Sequence, residues 1–90
     1  MRIVELTDYT MVIMKDSEDP PWVSVGDVYR EAKRGNYSII VDIDQITYHY
    51  PVTDDYIYSG GRLVLFFGDA IPPRFHLHDR VEIGVSRYNN

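Results

Sequence analysis

The chain contains no cysteine, so it is held together by neither disulfides nor thiolate–zinc sites, and thiol catalysis is excluded. Long apolar runs are missing too. The longest, Leu63 to Phe67, falls far short of the roughly 20 residues that a membrane helix needs. Met1 is followed at once by an amphipathic strand pattern, with no basic segment leading into an apolar one. No signal peptide is read, and the expected address is cytoplasmic, in a cell or in an infected host cell. The sequon Asn36-Tyr37-Ser38 carries little weight without a secretion signal. No glycine-rich phosphate loop is present: Ser59-Gly60-Gly61 has no lysine or helix behind it and reads as a hairpin turn. The five serines and four threonines stand in no recognisable nucleophile context.

Positive charge is the most localised absence. The 27 residues from Gly35 to Gly61 hold no lysine or arginine, yet they hold Asp42, Asp44, Asp54 and Asp55 and five of the eight tyrosines. That stretch contributes −4 of the net charge of −5. Binding phosphates requires clustered lysine and arginine, and only Lys33-Arg34 are adjacent, where the end of a helix favours basic residues anyway. No direct contact with nucleic acid is expected. Four carboxylates over 27 residues are also far too sparse to imitate duplex DNA, which carries a charge about every 1.7 Å.

What is present is an ordinary soluble composition, with 44% apolar and 26% charged residues in a chain of 90. It is read as a single domain, 1–90, with one thin core that buries about 60–65% of the unfolded surface. Arg2 to Leu6 and Tyr9 to Lys15 read as strands around a tight turn at Thr7-Asp8. A charged, proline-closed loop, Asp16 to Pro21, follows. From Ser24 to Arg34 the apolar stripe Val25, Val28, Tyr29 and Ala32 predicts a helix. Ser24 with Asp27 makes a variant capping box, and Lys33-Arg34-Gly35-Asn36 a basic last turn with a glycine stop. The competing reading turns the chain at Gly26-Asp27 and makes Val28 to Arg30 a strand. In that form Gly26-Asp27-Val28-Tyr29 resembles the start of small SH3-like barrels, over too short a stretch for any residue to be carried across.

Beyond Gly35 the period is two. Ile39, Val41 and Ile43 share one face of a strand, and after a turn at Asp44-Gln45 so do Ile46, Tyr48, Tyr50 and Val52. Pro51 marks an edge or an end. Tyr56 to Tyr58 is a short strand or ordered loop. Arg62 to Phe67 is apolar on both faces and must be covered on both. Phe75, Leu77, Val81, Ile83 and Val85 predict one long strand, or two with a break at Asp79-Arg80 where a bulge or turn intervenes. The expected fold is α+β and mostly β: a small twisted antiparallel sheet or partly closed barrel of five to seven strands, with one short helix at about 25–34.

Three groupings invite chemistry. His76-x-His78 has metal-like spacing if it lies on a strand, with a third ligand from His49, Asp42 or Asp44. Two histidines on the solvent parity of an amphipathic strand are more simply surface residues, and neither a metal nor another cofactor is expected. Asp42/Asp44 and Asp54/Asp55 are carboxylate pairs, but acid–base work needs a pocket that desolvates one partner, so no enzyme is expected. The tyrosines set among carboxylates suit contact with another protein, each ring offering area, few rotors and one hydroxyl.

The expected function is therefore a small non-enzymatic protein-binding module. Its candidate contact residues are Asp42, Asp44, Tyr48, Tyr50, Asp54, Asp55, Tyr56 and Tyr58, facing a basic patch on the partner. Tyr48 and Tyr50 share parity with Ile46 and Val52, which favours burying their rings, while Tyr56 and Tyr58 are balanced between core and surface. Size and composition alone give an analogy with accessory or inhibitory proteins of viruses and mobile elements. One alternative is an assembly subunit that self-associates through Val64 and Phe66. A third is a small-ligand or metal-binding domain with a concave pocket near His49, His76 and His78.

Overall fold

A computed structural model describes the backbone of residues 1–34, 37–43, 46–51 and 55–85, and the side chains of 1–31 and 55–83. The chain runs β1 (Arg2–Leu6), β2 (Thr10–Met14), α1 (Val25–Arg34), β3 (Tyr37–Ile43), β4 (Ile46–Pro51), β5 (Tyr56–Ser59), β6 (Arg62–Phe66) and β7 (Val81–Val85). The fold is mostly β with one short helix, as the periodicity predicts. The strands form two antiparallel sheets, ordered β1-β2-β6-β5 and β4-β3-β7, and do not close into a barrel. The single sheet or partly closed barrel is thus corrected to two open sheets. They meet where the start of β1 pairs with the approach to β7. An isolated bridge joins Arg2 to Arg80, the Ile3 amide donates to Asp79 O (3.0 Å), and the His78 amide donates to Ile3 O (2.8 Å).

The helix forms where the apolar stripe places it, which removes the strand reading of Val28 to Arg30. Ser24 Oγ accepts from the Asp27 amide at 3.5 Å, a long N-cap bond, while Asp27 turns to Arg30 (3.1 Å). Val25 and Tyr29 are buried against Ile3, Met11, Ile13, Leu63 and Leu65, which line one face of the four-stranded sheet, and against Val81 and Ile83 of β7. The expected glycine stop at 35–36 and the turn at Asp44-Gln45 lie outside the described residues.

Two turns explain strand boundaries. The Thr7 amide donates to Thr10 O (2.9 Å), and the Thr7 hydroxyl accepts from the Thr10 amide (2.9 Å), so β2 starts at Thr10 rather than Tyr9. Gly60 and Gly61 have φ of 60° and 77°, the positive pair that a tight type I′ hairpin between β5 and β6 requires.

The single long strand from Phe75 is absent, and so is the first strand of the broken alternative, although the turn expected near Asp79-Arg80 is present. Only Val81–Val85 is strand, because 75–79 folds into a turn. The Asp79 carboxylate accepts from the His76 amide (2.8 Å), the Asp79 amide donates to His76 O (3.1 Å), and His78 takes φ 71°. Asp79 is the residue that interrupts the apolar parity, and its side chain holds the break. Leu77, placed on the core parity by the sequence, is instead 50% exposed.

Candidate functional site

The proline-closed loop before α1 is fixed by charge. The Met1 ammonium donates to Asp19 Oδ2 at 2.7 Å, and the same oxygen accepts from the Asp16 amide (2.9 Å). Arg2 Nε lies 2.9 Å from Asp16 Oδ2, a charge contact without hydrogen-bond alignment. Arg80 reaches Glu18 at 2.8 Å. Burial opposes ionisation of Asp19, but the hydrogen bonds from the Met1 ammonium and the Asp16 amide, with the charges of that ammonium and Arg80, outweigh it. The Asp19 carboxyl is held below its ordinary range. At the far end of the loop Lys15 Nζ donates to Pro21 O (2.8 Å) and the Val23 amide to Pro20 O (3.0 Å).

Between these anchors stands Trp22, 84% exposed. No periodicity in the sequence marks it: it follows Pro20-Pro21 and precedes the helix cap, outside the stripe that begins at Val25. Its backbone is two residues from Ser24, whose hydroxyl lies 3.5 Å from Tyr58 Oη. Trp22 therefore stands within about 8 Å of chain from the residue that touches the end of β5.

On β5 the tyrosines face inward. Tyr56 and Tyr58 are half-buried and pack on the core. The ring of Tyr56 lies 4.9 Å from that of Tyr29, tilted by 57°. Exposed rings at Tyr56 and Tyr58, one of the two alternatives, are not what the fold presents; Ile57 between them is the outward residue, 57% exposed. Asp55 is exposed, and its backbone oxygen accepts from the Phe66 amide (3.0 Å). Asp44 and Asp54 lie outside the described residues, as do the side chains of Asp42, Tyr48, His49 and Tyr50, although β3 and β4 set Asp42 opposite Thr47 and Val41 opposite Tyr48.

Val64 and Phe66 are half-buried on the face of β6 opposite Leu63 and Leu65. Register aligns Val12, Val64 and Ile57 across three strands of that face. The Glu5–Arg62 ion pair lies beside this apolar row.

Along β1 runs a trough of about 650 Å³, walled by Val4, Leu6 and Val12 on the sheet side and by Phe75, His76 and Leu77 on the other. A smaller hollow of about 210 Å³ shares Leu6, Thr7 and Phe75 with it and continues to Asp8 and Pro72-Pro73. The larger volume is within the range of small-ligand pockets. The spacing argument for a metal loses its premise here. His76 and His78 sit in a turn rather than on one face of a strand, and His76 Nδ1 lies 3.8 Å from Asp79. Among the described residues no three metal-ligating side chains converge, and no helix is long and apolar enough to cross a membrane. No family model, curated protein or solved structure matches the chain.

Proposed function

We propose that the protein is a small non-enzymatic protein-binding module, with Trp22 as the anchor of its contact surface. The observation that carries this is a tryptophan 84% exposed on a loop fixed at both ends. Tryptophan combines large apolar area with few rotors, and it is among the residues most enriched where binding energy concentrates. A fixed backbone lowers the ordering cost of using it. The Tyr58 hydroxyl, 3.5 Å from the Ser24 hydroxyl, adjoins this surface, and the exposed Asp55 carboxylate lies at the other end of β5. The acidic balance of the chain suits a partner with a basic patch, met in the cytoplasm of a cell or of an infected host. Accessory or inhibitory action remains part of this reading through the analogy of size and composition.

The test is capture from lysate of the native host, comparing wild type with Trp22→Ala, and identification of what is retained. Trp22 is exposed, so its loss leaves the core untouched. A protein retained by wild type and lost by Trp22→Ala supports the proposal. Equal retention by both proteins removes Trp22 as the anchor, and recovery of this chain alone favours a second reading.

That second reading is self-association through Val64 and Phe66, with Ile57 beside Val64 in register. It is favoured by an in-register apolar row whose outer member, Ile57, is 57% exposed, the kind of patch that a symmetric dimer buries.

A further inference from the structure

Strand pairing fixes where the backbone of Leu6 points. In β2 the Tyr9 carbonyl accepts from the Phe67 amide (2.9 Å), so Tyr9 and, two residues on, Met11 direct their backbone groups toward β6. Thr10, between them, accepts from Thr7 on the other side. Leu6 is the register partner of Met11, so its N–H and C=O point away from β2. Ile3, partner of Ile13, is turned the same way, and its outward pair is taken by Asp79 and His78. Beyond the irregularity at Val4 this outer pairing stops. The outward N–H and C=O of Leu6 have no partner among the described residues. Leu6 is half-buried and lines both the trough and its continuation. Leu6 therefore presents an unpaired strand edge at the trough, the template on which a further strand can form.

We propose that the trough receives an extended peptide segment of another protein, which adds as a strand to the outer edge of β1 at Leu6. Strand addition supplies the missing backbone bonds, and alternate side chains then enter the pockets below. Leu77 and Val4 offer an apolar seat. Asp8 lines the far end, is exposed, and has no ion-pair partner among the described residues. In a chain of net charge −5, that carboxylate selects a lysine or arginine on the incoming segment. The occupant is thus an extended segment carrying one apolar and one basic side chain. This site is separate from Trp22 and stands or falls independently of it.

The test begins with selection of binders from a random twelve-residue peptide library displayed on phage, using the intact protein as bait. Chosen peptides are then measured against wild type and Leu77→Asp, and exchange of the Leu6 amide is followed by NMR with and without peptide. Leu77 is half-exposed, so the substitution spares the core. Expected are peptides with a basic residue near an apolar one, a loss of about tenfold or more in affinity for Leu77→Asp, and about tenfold slower Leu6 exchange in the complex. N-methylation of the peptide should abolish binding at alternate residues only. The proposal is overturned by peptides that bind with Leu6 exchange unchanged, by affinities indifferent to Leu77→Asp, or by a library that yields no binder. Concentration-dependent protection of Leu6 without peptide also overturns it, in favour of a second copy of this chain.

Discussion

The Cβ that Gly26 lacks would lie 2.5 Å from Cε2 of Tyr58, so the first turn of α1 rests directly on a tyrosine ring. Elsewhere in a helix, replacing glycine by alanine stabilises by up to about 1 kcal/mol. Here the added methyl must displace a half-buried ring that packs on the core. Gly26→Ala is expected to destabilise by about 1–3 kcal/mol in urea unfolding. In a Tyr58→Ala background the same change should become neutral or stabilising. A double-mutant cycle with no coupling between the two positions would contradict this contact.

Acid should act on the loop before α1. The Asp19 carboxyl is lowered from its ordinary 3.8. A depressed folded-state value contributes stability that is present above the unfolded value and lost as pH falls through the folded one. Asp19→Asn is therefore expected to cost on the order of 1 kcal/mol at neutral pH, as hydrogen bonds to charged groups do. The gap between the two proteins should shrink below about pH 4. Unfolding curves recorded across that range check it; a gap independent of pH would point to packing instead.

His78 is the only described non-glycine residue with positive φ, at 71°. Histidine tolerates that region better than β-branched residues do. His78→Val should lose about 1–2 kcal/mol, whereas His78→Gly should leave stability unchanged or slightly improved. Thermal melts of the two variants decide it. If His78→Gly were as damaging as His78→Val, the imidazole itself would be the stabilising group.

Adjacent residues of β6 should behave oppositely. Leu65 is fully buried, and Leu65→Ala is expected to cost about 2–5 kcal/mol. Phe66 faces the other side of an open sheet, so Phe66→Asp should give a folded protein. Sedimentation then reports on assembly: a wild-type oligomer that becomes monomeric with Phe66→Asp supports the apolar row as its interface, and unfolding of Phe66→Asp would place Phe66 in the core.

Much of this fold is legible locally. The stripe Val25, Val28, Tyr29 with Ser24 ahead of it specifies α1 without reference to the rest of the chain. Gly60-Gly61 likewise specifies a hairpin. What local pattern misses is decided at a distance. Leu77 keeps the parity of a core strand, but pairing of His78 and Asp79 with Ile3 turns the chain there and lifts Leu77 to the surface. Tyr56 and Tyr58 have no apolar neighbours on their own parity in β5; their seat is made by Tyr29 and Gly26, some thirty residues earlier. Trp22 carries no pattern at all, and its exposure emerges only once the loop around it is held in place. The seam that joins the two sheets depends on β1 meeting the approach to β7, which no stretch of neighbouring residues encodes.

The meeting of Arg2 with Arg80 also sets an order of events. The Thr7–Thr10 turn closes over a few residues, whereas joining the sheets closes a loop of nearly the whole chain, roughly 2–3 kcal/mol more costly in entropy. The β1–β2 hairpin, α1 and the β5–β6 hairpin can each form from near neighbours, but the seam between the sheets has to wait for residues 78–81. During synthesis the outer edge of β1 is therefore bare at Ile3 as well as at Leu6 until the last strand arrives.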